Sequence, residues 1–179
     1  NQEIRISKLS ELLNIKPASV TEMIKKLSDK QLINHQPYKA IYLTKQGKQQ
    51  GLKILRRHRL LELFLTECLQ VSWDEVHEEA EALEHAVSDT LIKKIDAYLE
   101  FPKFDPHGDP IPQEDGSFPT YESISKVSEI NIGDNGQIIR VSNDDKAFLN
   151  YLSSMKCNIG QQIKVIKKYE FDNSIDIQI

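Results

Sequence analysis

The stretch VHEEAEALEH carries His77, Glu81, Glu84 and His85 at relative positions 0, +4, +7 and +8. At about 100° per residue, a helix gathers these four side chains onto an arc of roughly 100° and points Glu78 and Glu79 elsewhere. Upstream, RRHRLLELFL sets His58 and Glu62 one helical turn apart. Imidazole and carboxylate are both ligands for divalent cations, and two such helices packed together surround one or two ions. The competing reading is a solvated acidic face, because Glu75, Glu78, Glu79, Glu81 and Glu84 crowd one segment, with pH-dependent ion pairs as its only chemistry. A shared His/Glu face beside a second His/Glu pair favours metal.

Elements must be found to hold those ligands, and charge gives the first division. Residues 1–59 carry 13 Lys/Arg against 4 Asp/Glu, a balance of +9; the remaining 120 carry 10 against 23, a balance of −13, which together give the net −4. A basic first third ahead of an acidic remainder is the pattern of a nucleic-acid reader joined to a cation-holding module. In the basic part, KLSELLN predicts a short helix with Leu9, Leu12 and Leu13 inward, then a turn, then a helix with Pro17 in its first turn and Val20, Ile24 and Leu27 as the buried stripe. Ser19, Thr21, Glu22, Lys25 and Lys26 face out. Two short strands between Ile33 and Leu43, around Gln36-Pro37-Tyr38-Lys39, complete a winged helix-turn-helix whose wing tip presents Lys39 to phosphate.

A long helix follows, from about Lys45 to Leu69, more apolar than one small core absorbs. With the His77 helix and Asp89–Leu99 it reads as a helical dimerisation region, and a dimer suits paired half-sites in DNA. FPKFDPHGDPIPQEDGSFP is Pro-, Gly- and Asp-rich and reads as a linker; Asp105 and His107 within it are further possible ligands, against the ordinary reading of a mobile linker histidine. Residues 121–179 read as a small β-barrel interrupted by a helix from Lys146 to Ser153. The fold expected is therefore mainly α with a small β domain: residues 1–50 winged helix-turn-helix, 51–118 helical metal-binding and dimerisation domain with linker, 119–179 SH3-like barrel.

No apolar run approaches the roughly 20 residues that cross a bilayer and no signal peptide opens the chain, so a cytoplasmic protein without membrane contact is expected. Cys68 and Cys157 are far apart and form no CxxC, which points to ordinary buried thiols. No HExxH is present and no nucleophile or base accompanies the ligands, which disfavours a metallohydrolase; a winged-helix regulator of an organic ligand would not need the His/Glu face. An enzyme is not expected.

The order winged helix, RRHRLLELFL, EVHEEAEALEH-xx-SD, DPHGDPIP and small barrel resembles the diphtheria toxin repressor family of metal-dependent regulators along essentially the whole chain, and within it the manganese-responsive branch with a carboxy-terminal SH3-like, FeoA-type domain. The resemblance implies a cytoplasmic dimeric repressor of metal-uptake genes that binds a palindromic operator when loaded with metal. It makes Glu81, which stands where iron-responsive members have cysteine, a ligand with Glu84 and His85 in the principal regulatory site. The oxygen donor suits hard Mn²⁺, with Fe²⁺ response as the alternative. A further ligand is expected from a first helix that the sequence, opening at Asn1, lacks. For the second site the resemblance offers two sets: His58, Glu62 and His77, or Glu62 with Asp105, His107 and Asp144 (Asp145 by a one-residue shift). On the DNA side it implies Lys16, Ala18, Ser19, Thr21 and Glu22 at the start of the recognition helix, with Lys25, Lys26 and Lys39 on phosphates.

Overall fold

The computed structural model describes residues 4–35, 40–143 and 145–179, so Lys39, with the rest of the wing tip, and Asp144 lie outside the described residues. The chain forms two compact units, 1–54 and 55–179.

In the first unit, α1 (Ile6–Leu12) and α2 (Pro17–Asp29) are joined by a turn in which Asn14 takes a positive φ of 50°. Pro17 opens α2, where its missing N–H costs nothing. Strands β1 (Ile33–Asn34) and β2 (Tyr42–Leu43) pair antiparallel, Ile33 opposite Leu43, as the base of the wing. Val20, Ile24, Ile33 and Ile41 form the core, with Ile4, Ile6, Leu9 and Ile15 against it. Two expected inward residues of α1 are corrected: Leu12 and Leu13 are exposed. Ile6 and Leu9 set the buried face, from which Leu12 is rotated, while Leu13 is already the C-cap. Leu27, expected to complete the α2 stripe, is also largely exposed, so Val20 and Ile24 alone anchor that helix.

Helix α3 (Lys45–Leu69) starts at Thr44, whose hydroxyl accepts the Gly47 N–H at 3.0 Å and donates to the Gln31 carbonyl. Gly47 is required there: a Cβ would lie 1.8 Å from the Leu32 carbonyl oxygen.

In the second unit the far part of α3 packs with α4 (Val76–Glu84) and α5 (Asp89–Tyr98) around Leu61, Leu65, Val76, Ala80 and Ile95. The Ser88 hydroxyl caps α5 by accepting from the Leu91 N–H. Downstream lie a short 3₁₀ turn (Val127–Glu129), β3 (Asn135–Gln137), α6 (Lys146–Ser154), β4 (Gln162–Lys168) and β5 (Ile175–Gln178). The three strands make an antiparallel sheet in the order β3-β4-β5, and among the described residues it does not close into a barrel. The alternation and glycine turns of SEINIGDNGQIIRVSN are those expected of a small barrel. The 3₁₀ turn and Gly133, at φ 93°, break the pairing, although Gly133 and Asp134 still bond to the Val165 backbone. No helix among the described residues is long and apolar enough to cross a membrane.

Candidate metal centre

The inward face of α4 is fixed by Val76 and Ala80, both fully buried, with Leu83 packed against the same core. Measured around the helix from these residues, Glu84 and His77 come next and Glu81 and His85 lie farthest toward solvent. The side chains divide accordingly: Glu84 is 11% exposed and reaches α3, whereas His85 is 74% exposed and Glu81 is exposed. The single four-ligand face expected from spacing is thus split between two environments. His85 Nε2 stays 3.4 Å from Glu84 Oε1, so the outer pair still adjoins the inner one.

Facing α4, α3 presents His58 and Glu62 from one turn of helix, with Glu62 only 3% exposed. His58 Nδ1 is 2.8 Å from Glu84 Oε2, its Nε2 is 3.0 Å from Glu62 Oε1 and 3.1 Å from His77 Nδ1, and His77 Nδ1 is 3.2 Å from Glu62 Oε1. Burial disfavours charge on His58, but the carboxylates of Glu62 and Glu84 outweigh it and raise the imidazole above its ordinary value. Burial likewise pushes Glu62 upward, and its hydrogen bond and attraction to His58 more than reverse that, so it is held low.

The DPHGD segment is ordered rather than a slack linker. Asp105 Oδ1 accepts the N–H groups of His107 and Asp109 at 2.9 and 2.8 Å, folding the loop on its own carboxylate. Arg59 holds the loop to α3, donating to the Pro110 carbonyl and lying 3.3 Å from Asp105 Oδ2. Gly108, at φ 83°, lets the chain pass the Ile139 carbonyl, which a Cβ would approach to 1.9 Å. Asp105 and His107 are consequently 7% and 5% exposed. His107 stacks on Trp73, and its Nε2 is 2.8 Å from the Trp73 carbonyl. A carbonyl only accepts, so Nε2 is the donor in this contact and Nδ1 is the nitrogen left for a ligand. Burial, together with repulsion from Glu62 and Asp109 that a backbone hydrogen bond and Arg59 only partly offset, raises the Asp105 carboxyl to about 6.

Two ligand groups result, each with its donor atoms within 4.8 Å of one another: His58, Glu62 and His77, and Glu62, Asp105 and His107. The residues of the first expected set for a second site are brought together, as are three of the other set's four, Asp144 lying outside the described residues, and the two groups share Glu62. Carboxylates and imidazoles gathered this closely are a donor set that a divalent cation would satisfy. Asp145, the alternative to Asp144, is engaged otherwise, accepting from the Phe148 N–H as the N-cap of α6.

The residues that sequence reasoning missed are the ones that hold the ligands. Trp73 accepts from His107 and donates through Nε1 to Ser153 of α6 at 2.7 Å. Arg56 binds Asp96 and the Pro112 carbonyl; Arg57 binds Asp89 and the carbonyls of Glu84 and Val87. The signal available was the RRHR run itself, whose arginines bracket the first ligand and have acidic residues downstream to meet.

In the first unit, Lys16, Ala18, Ser19, Thr21, Glu22, Lys25 and Lys26 are all exposed on or beside α2. Glu22 and Lys26 pair at 2.8 Å, and the Thr21 hydroxyl donates to the Pro17 carbonyl, so these groups are tied within the helix.

Residues 1–41 match the family model for the iron dependent repressor N-terminal DNA binding domain, residues 44–113 that for the iron dependent repressor metal binding and dimerisation domain, and residues 126–179 the FeoA domain. Over 100 residues the chain is 40% identical to an HTH-type transcriptional regulator of Methanocaldococcus jannaschii, covering 56% of this chain and 80% of that one. Over 101 residues it is 35% identical to the HTH-type transcriptional regulator MntR of Oceanobacillus iheyensis, covering 56% and 68%. Among solved structures, a manganese-dependent transcriptional repressor in complex with manganese superposes with a TM-score of 0.84 at 40% identity, over 99% of this chain and 81% of that one. ScaR with bound Cd²⁺ gives 0.79 at 30% identity, over 100% and 84%. The chain belongs to the iron-dependent repressor family, whose members are transcriptional repressors and not enzymes, in its MntR-like branch with a FeoA domain.

Proposed function

We propose that this protein is a manganese-dependent transcriptional repressor of metal-uptake genes, a cytoplasmic homodimer that binds a palindromic operator when loaded with Mn²⁺. The observation that carries the reading is the buried Glu62, with two imidazoles at 3.0 and 3.2 Å from Oε1 and two further donors from the DPHGD loop in reach. Oxygen and nitrogen donors without thiolate suit Mn²⁺; Fe²⁺ is the alternative that the same set accepts.

In this reading Glu81, Glu84 and His85 hold the principal regulatory ion, completed by donors outside these three. The groups around Glu62 form the second site. The side chains of α2 from Lys16 to Glu22 read bases, and Lys25, Lys26 and Lys39 neutralise phosphates. Residues 1–50, 51–118 and 119–179 act as reading head, metal-binding dimer core and FeoA domain, the last with an SH3-like fold to which Asp144 contributes a ligand.

Metal would supply charge neutralisation among the buried carboxylates. The chain's residues supply the coupling: α3 and α4 are bridged by ligands from both, so a cation that prefers this arrangement shifts the population toward it. The test is operator binding measured with Mn²⁺, Fe²⁺, Zn²⁺ and chelator. Tight binding with Mn²⁺ and weak binding with chelator is expected, and equal affinity in the two refutes the reading.

A further inference from the structure

Glu62 belongs to both ligand groups, and its one carboxylate cannot be released to one without touching the other. From this geometry, and resting on the metal-dependent reading above, we infer that Glu62 is a bridging ligand. It joins one divalent cation held by His58 and His77 to a second held by Asp105 and His107, so the centre is a coupled pair rather than a choice between two single-ion sites.

Three observations carry this. The donors of each group lie within 4.8 Å of one another, as ligands of one ion must, but the five residues do not form one such group. With metal–donor bonds of about 2.0–2.3 Å, a single ion therefore cannot collect all five in this arrangement.

Both halves are also organised at the same time. The outer nitrogen of His58 is held by Glu84 at 2.8 Å, and the outer nitrogen of His107 by the Trp73 carbonyl at 2.8 Å. Each imidazole is thus oriented by its own outer partner, and neither half has to be dismantled to assemble the other. Finally, Glu62 is 3% exposed, and a carboxylate shared between two cations places negative charge where their mutual repulsion is greatest.

The experiment is a Mn²⁺ titration of the full chain, followed by calorimetry for stoichiometry and by low-temperature electron paramagnetic resonance for magnetic coupling. It is run in a Glu81→Ala/His85→Ala background, which removes the exposed outer ligands and leaves Glu84 to hold His58. The expected result is two ions per subunit with the signature of an exchange-coupled pair. His107→Ala and His77→Ala should each leave one ion with an isolated-ion spectrum, and Glu62→Gln should abolish the coupling. His77→Gln serves if truncation to Ala unfolds the chain, which circular dichroism would reveal.

A single uncoupled ion that survives one of the two histidine substitutions and vanishes with the other would overturn the pair in favour of one single-ion site. Operator binding in the unsubstituted protein separates the two levels. Mn²⁺-dependent DNA binding with a single uncoupled ion defeats the bridge alone, whereas a coupled pair without metal-dependent DNA binding defeats the repressor reading.

Discussion

Glu84 on α4 directs Oε2 to His58 Nδ1 on α3, at 2.8 Å, so the residue expected at a principal site also orients the first histidine of the other. Neither group is free to move without the other. Substituting Glu84 therefore disturbs two sets of ligands, which separates it from Glu81 beside it.

Glu81→Cys is expected to shift the metal ranking from Mn²⁺ toward Fe²⁺ or Zn²⁺, because one hard anionic oxygen becomes a thiolate. Glu81 is exposed, so stability should change by under about 1 kcal/mol. Operator-binding curves with each metal check this; an unchanged ranking shows that position 81 does not set selectivity.

Glu84→Ala is expected to be more severe than Glu81→Ala. It removes a ligand, frees the His58 ring and leaves a buried gap, at a cost on the order of 1–3 kcal/mol in the metal-free protein. Thermal melts of the two variants with and without Mn²⁺ compare them directly. Equal melting temperatures would contradict the contact.

Proton linkage has a defined sign. In the metal-free protein His58 is raised by Glu62 and Glu84 against its burial, so the stability it contributes is present at low pH and lost as pH rises through its folded value. Asp105, raised by burial to about 6, favours the folded state while protonated and costs stability as pH climbs from the ordinary carboxylate range through about 6. A metal needs both groups deprotonated. Mn²⁺ affinity should therefore fall by about tenfold or more per pH unit below about 6, with protons released on binding. Calorimetry in buffers of different ionisation enthalpy measures the release, and pH-independent binding between 5 and 7 would contradict it.

Trp73 is the only tryptophan in the chain and stacks on His107 with ring centroids 5.9 Å apart. Paramagnetic Mn²⁺ held by His107 should quench its fluorescence, and His107→Ala should remove most of the quenching. Quenching that persists in this variant would place the ion elsewhere.

Gly108→Ala should destabilise the protein by about 1–3 kcal/mol and weaken the Asp105/His107 group, since the φ of 83° and the Ile139 carbonyl both oppose a Cβ. Chemical denaturation gives the stability loss. A neutral result would show that the loop yields without cost.

The helices were legible because their periods are local: Lys45–Leu69 was read with the ends observed, and the wing followed from two short apolar runs around a proline turn. The ligand types were legible for the same reason. Their grouping was not, because it depends on which side of α4 the core occupies, and Val76 and Ala80 settle that only once α3 and α5 are packed. DPHGD looked like a slack connector since proline and glycine usually signal one. Its order comes from Arg59 and from Asp105 folding onto its own backbone, tertiary contacts that composition does not display.

A divalent cation on these ligands is expected to govern DNA binding, and the decisive measurement is operator titration of the full chain with Mn²⁺ against chelator. Tight binding is expected with Mn²⁺, with at least tenfold weaker binding when the metal is stripped and loss of the Mn²⁺ response in Glu84→Ala and His85→Ala. The same affinity with and without metal, or an intact response in both variants, would contradict it.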